Sequence, residues 1–108
     1  KVGTIPMINT NIKNSHLRIE NLFKSIFTEV PNTSISLNDE SVIIEHNDQS
    51  NPDAASIEII KIEEVYKISY WDGYSLAEDE TEKDLNKALK IFKRYSKKMA
   101  KNLVRFSN

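Results

Sequence analysis

The sequence predicts an α+β domain in which an antiparallel β-meander of four to five strands is flanked by an N-terminal helix and a long C-terminal helix. Three observations lead there. Apolar residues recur at three- and four-residue spacing toward both ends of the chain; the middle changes to short β-branched and aromatic runs separated by turn residues; and no helical segment interrupts those runs, so hairpins rather than βαβ crossovers must join them. With 108 residues, 39% of them hydrophobic and 29% charged, the chain can build one core and not two. A single domain over 1–108 is expected, with 1–13 as an extended arm.

The arm mixes Ile5, Pro6, Met7 and Ile8 with Asn9 and Asn11 and sustains no period, which suits an extended segment or a short edge strand. In the first helix, Asn14 or Ser15 can accept a backbone N–H at the start, and Ile19, Leu22, Phe23, Ile26, Phe27 and Val30 form one stripe. Pro31 stops it, because the residue before a proline is pushed out of the helical region. Strands are expected over 33–37, 42–47, 56–62, 65–71 and 74–77. Asn38-Asp39-Glu40 supplies the first turn, and the polar stretch 48–53 with Pro52 supplies a longer loop. Asp72-Gly73 reads as a two-residue hairpin loop, since these residues tolerate the positive φ angles of a type I′ turn. That loop sets Trp71 opposite Tyr74 and Tyr70 opposite Ser75, and places Ala77 with Tyr66, Ile68 and Tyr70 on the face the helices cover. The last helix is expected to open at Thr81, with Asp84 reaching back in a capping box. Leu85, Ala88, Leu89, Phe92, Tyr95, Met99 and Leu103 then share one arc, and Lys87, Lys90, Arg94, Lys97, Lys98 and Lys101 lie opposite.

The net charge of −1 hides a strong segregation. Residues 1–38 carry four cations and two anions, residues 39–84 carry fourteen anions against Lys61, Lys67 and Lys83, and residues 85–108 carry eight cations and no anion. The basic face of the last helix points away from the apolar arc that must meet the core, so extensive pairing with the acidic block is expected to be geometrically awkward. Two surfaces of opposite sign follow. Isoleucine, lysine, asparagine and serine make up 48 of the 108 residues, a bias that AT-rich coding DNA produces and that suggests a low-GC bacterium or one of its mobile elements.

Several function classes drop out. There is no cysteine, which removes disulfide scaffolds, thiolate metal sites and cysteine nucleophiles. Two glycines, Gly3 and Gly73, are too few for a Walker loop or a dinucleotide fingerprint. Eleven serines without a glycine-flanked elbow give no case for nucleophilic catalysis. Glu45 and His46 point to opposite faces of any regular strand, so they cannot ligate one metal together. No enzyme, cofactor or metal site is expected. The longest aliphatic run, Val42-Ile43-Ile44, is far short of the roughly 20 residues that span a bilayer, and no signal-peptide core is visible, so no membrane partner and a cytoplasmic location are expected.

Two constellations remain. Trp71, Tyr74 and Leu76 fall on the sheet face that also carries Lys67 and Ser69. A cross-strand aromatic pair stabilises a hairpin by roughly 0.2–1 kcal/mol, so structure alone can explain it. Tryptophan and tyrosine are also the commonest interface anchors. The acidic residues Asp48, Asp53, Glu58, Glu63, Glu64, Asp72, Glu78, Asp79 and Glu80 come largely from loops and strand ends, where a solvated surface is the plain reading. Beside exposed aromatics they also suit a protein with a basic surface, whose association they would steer.

The helix segment Ser96-Lys97-Lys98-Met99-Ala100-Lys101 is similar to the lysine-rich helix start of double-stranded-RNA-binding domains, whose α-β-β-β-α order is also close. In that family the lysines open the helix after a glycine-containing loop, whereas here they come about four turns after Thr81. The acidic sheet alongside would also repel phosphate, which weighs against nucleic acid. A secretion-type chaperone that holds a client segment against the sheet is a further alternative.

The α-β-meander-α order, the run Tyr66-Lys67-Ile68-Ser69-Tyr70-Trp71-Asp72-Gly73 and the helix with Leu85, Ala88, Leu89 and Phe92 resemble the small immunity proteins of bacterial polymorphic and contact-dependent toxin systems. The resemblance covers residues 33–103 in style rather than through a diagnostic motif. It implies an inhibitor without chemistry of its own that covers one cognate toxin, and the acidic surface points to a nuclease with a cationic cleft. Partner binding is accordingly expected at Asp48, Asp53, Glu58, Trp71, Asp72, Tyr74, Glu78 and Asp79.

Overall fold

The computed structural model describes residues 11–47 and 54–106, the last two by their backbone alone. It is an α+β structure with a five-stranded antiparallel sheet, an N-terminal helix and a long C-terminal helix. The elements run α1 (His16–Ile26), β1 (Thr33–Leu37), β2 (Ser41–His46), β3 (Ser56–Ile62), β4 (Val65–Trp71), β5 (Leu76–Glu82) and α2 (Leu85–Phe106). The strands lie in the sheet in chain order, as a meander of short connections requires.

Helix α1 departs from expectation at both ends. A short 3₁₀ turn, Lys13–Ser15, precedes it, with Asn11 Oδ1 accepting the Asn14 N–H at 2.8 Å at its start, and Ser15 at the head of α1 makes no side-chain cap. Ile12, expected in an extended arm, is only 1% exposed and belongs to the core. The helix ends at Ile26, before Phe27 and Val30, yet both of these remain buried. The chain turns through Pro31 and Asn32, whose φ of 62° lies in the left-handed region that asparagine tolerates.

The core lies between one sheet face and the helices. Val42 and Ile44 of β2, Ile57 and Ile59 of β3, and Tyr66, Ile68 and Tyr70 of β4 are buried at every second position, the period of a strand with one covered face. Helix α2 packs across β3, β4 and β5, and α1 packs against α2 and β1. Ala88, Phe92, Tyr95, Ser96 and Met99 form the buried arc of α2, close to the arc the sequence predicts. Ser96 is satisfied there by donating to the Phe92 carbonyl at 2.7 Å.

The last hairpin differs most from the sequence reading. Trp71 opposes Leu76 rather than Tyr74, and the connection spans the four residues 72–75 instead of two. Asp72 organises it: its Oδ1 accepts the N–H groups of Tyr74 at 2.9 Å and Ser75 at 3.0 Å, and its own N–H donates to the Ser75 carbonyl. Gly73 supplies the positive φ, 102°. A register shift between Tyr70 and Trp71 then places Glu78 opposite Tyr70, Glu80 opposite Ile68 and Glu82 opposite Tyr66. This shift turns β5 over. Its glutamates face the helix layer, Ala77 is exposed instead of buried, and the strand continues to Glu82. Helix α2 therefore opens at Leu85 rather than Thr81, with Asp84 Oδ2 accepting the Lys87 N–H at 3.1 Å as its cap.

A candidate protein-binding face

The register fixes what the uncovered face of the sheet presents. One cross-strand row reads Ser36, Ile43, Glu58, Ser69, Asp79; the next reads Ser34, Glu45, Ser56, Trp71, Leu76; a third reads Ser41, Ile60, Lys67, Thr81. Three carboxylates and one lysine are thus set among Ile43, Ile60, Trp71 and Leu76, and no described helix lies over them. Leu76 is 51% exposed, whereas Ile43, Glu58, Ile60 and Trp71 are half-buried. Lys67 and Ser69 do share this face with Trp71 and Leu76, as the alternation of the strand predicts.

Of the residues expected to bind a partner, Glu58, Trp71 and Asp79 come together here, drawn from β3, β4 and β5. Asp72 and Tyr74 sit at the hairpin tip next to the Trp71 row, with Tyr74 87% exposed. Tyr74 does not pair with Trp71. Asp48 and Asp53 lie outside the described residues.

Glu78 belongs elsewhere. It faces the helix layer, where Lys98 holds its carboxylate, and Glu80 is held in the same way by Arg94. Extensive pairing between the basic helix and the acidic block was expected to be awkward, and the structure pairs these two residues, because the overturned β5 runs directly beside α2. Both pairs are substantially exposed, so each contributes no more than about 1 kcal/mol. Their meaning is geometric: they join an edge strand to the helix along a polar seam. Tyr95 Oη donates to Glu80 at 3.0 Å, the Arg94 guanidinium lies 5.4 Å from the Tyr95 ring centre, and Asn102 Nδ2 donates to Tyr70 Oη at 3.0 Å. Among the described residues, Lys90, Lys93, Lys97 and Lys101 make no ion pair, so a basic arc remains on the helix layer, away from the open face.

Burial, together with the neighbouring Glu80 carboxylate, pushes the Tyr95 phenol up to about 12. The folded protein therefore holds this proton more tightly than the unfolded chain, whose phenol titrates near 10. The resulting stabilisation is whole below pH 10 and is lost as the pH rises toward 12. Urea unfolding followed across that window should show a falling midpoint, and Tyr95→Phe should flatten the fall.

His46 turns toward the helix layer with a buried Nδ1 that has no partner among the described residues, while Glu45 is exposed on the other face. Among the described residues no three histidine or acidic side chains converge on one point, and no helix is long and apolar enough to cross a membrane. A shallow groove of about 580 Å³, lined by Ile26, Val30, Ala100 and Val104 with Glu29 and Lys101 at its sides, lies on the helix layer and not on the open face.

These features define a two-layer α+β protein in which the described helices cover one face of the sheet and not the other. No protein-family model matches the chain, and no curated protein or solved structure is significantly similar to it.

Proposed function

We propose that this chain is a binding protein without chemistry of its own, and that the open sheet face with the Asp72/Tyr74 tip receives a basic protein partner. The observation that carries this reading is the register that sets Glu58 and Asp79 in one cross-strand row, with Trp71 and Leu76 in the next. Apolar anchors surrounded by charge of one prevailing sign are what a steered protein interface needs. With three carboxylates against one lysine, the face suits a cationic surface and disfavours nucleic acid. The particular role we assign is that of an immunity protein, neutralising one cognate bacterial toxin, such as a nuclease with a basic groove, in the cytoplasm.

The test begins with the polypeptide encoded beside this chain. The reading expects a toxic domain whose lethality is relieved when this chain is co-expressed, through a complex with a fast, salt-sensitive association rate. Glu58→Lys with Asp79→Lys should slow association by about tenfold or more and flatten its dependence on salt. Asp72 is left intact, because its carboxylate builds the turn and its loss would confuse folding with binding. Unchanged association kinetics in the double variant, or an adjacent product that is harmless and unbound, overturns the proposal.

A further inference from the structure

The two edges of the sheet are built differently. β5 carries Glu78, Asp79, Glu80 and Glu82 within seven residues, and charge of this density turns away an incoming strand. β1, with the sequence Thr-Ser-Ile-Ser-Leu, carries none.

The direction of the outer backbone groups on β1 follows from its ends. Asn38 N–H donates to the Ser41 carbonyl at 2.9 Å, and Asn47 N–H donates to the Asn32 carbonyl at 2.7 Å. Pairs 38/41 and 32/47 are therefore of the hydrogen-bonded kind, and by alternation so are Ser36/Ile43 and Ser34/Glu45. The N–H and C=O groups of Thr33, Ile35 and Leu37 must then point away from β2. Among the described residues they have no backbone partner.

We propose that β1 pairs with β1 of a second copy of this chain, antiparallel about a twofold axis through Ile35, to make one continuous sheet. The strand is nearly its own reverse about that residue. Ile35 meets Ile35, Ser34 meets Ser36, and Thr33 meets Leu37, so every outward-pointing residue faces an outward-pointing one, and each such pair exchanges two N–H···O=C bonds. A twofold axis normal to the sheet keeps like faces together. The half-buried Ile35 and Leu37 therefore extend the core side into the second copy, while the exposed Ser34 and Ser36 stay on the open side. A foreign strand would match the backbone equally well. The near-symmetric, uncharged sequence is what selects a second copy.

Sedimentation of the whole chain from about 10 μM to about 1 mM should show a concentration-dependent dimer, since strand pairing alone gives modest affinity. Ser34→Lys with Ser36→Lys sets like charges opposite one another across the twofold and should leave a folded monomer with unchanged circular dichroism. Ser34→Lys with Ser36→Glu sets opposite charges in the same places and should restore the dimer. Both serines are exposed, so neither variant disturbs the core. A wild-type chain that stays monomeric at about 1 mM overturns the proposal, as does equal dimerisation by the two variants.

Discussion

Phe92→Ala is expected to lower the free energy of unfolding by about 3–5 kcal/mol, a large part of the stability of a domain of this size. Phe92 is fully buried at the middle of the α2 arc, between Ala88 and Met99, where that helix crosses the sheet. Its removal loses the transfer energy of the ring and leaves a void that neither the helix nor the strands can close, because the hydrogen-bonded ladder holds β3 and β4 in place. Urea denaturation read by circular dichroism checks this. A loss below about 1 kcal/mol would mean that α2 does not seat on the sheet as described.

Trp71→Ala should separate binding from folding. The side chain is half-buried on the open face and opposes Leu76, so its truncation should destabilise the fold by only about 1 kcal/mol. A tryptophan anchor at a protein interface contributes about 2 kcal/mol or more, which corresponds to roughly thirtyfold weaker affinity for the partner. Calorimetric titration beside a urea melt measures both quantities on one preparation. Affinity within about a factor of two of wild type would remove Trp71 from the interface and with it the open face as the docking surface.

The contrast between these residues shows how much of the molecule is legible from sequence. Phe92 announces itself, because an apolar arc at helical spacing opposite a lysine arc has only one way to face a core. Trp71 is legible as a residue of β4, and its outward direction follows from strand alternation. Its neighbours across the hairpin do not follow. The sequence signal at Asp72-Gly73 favours the shortest loop, but Asp72 instead accepts two backbone N–H groups and closes a four-residue turn. One extra residue on one side of a ladder reverses every side chain beyond it. That reversal takes Glu78 out of the expected binding surface and gives it to Lys98.

Ile12 shows a second limit of the same kind. A lone isoleucine among asparagines has no period, so nothing local marks it as core; a capped 3₁₀ turn ahead of α1 carries it inward.

The α+β class, the order of elements, the covered arcs of both helices and the alternating faces of β2, β3 and β4 are written locally in the chain, because each depends on a period within one segment. The register of β5, the pairing of Glu78 and Glu80 with α2, and the composition of the open face emerge from folding alone. These depend on contacts between segments, where a shift of one residue costs little locally but changes which charges meet.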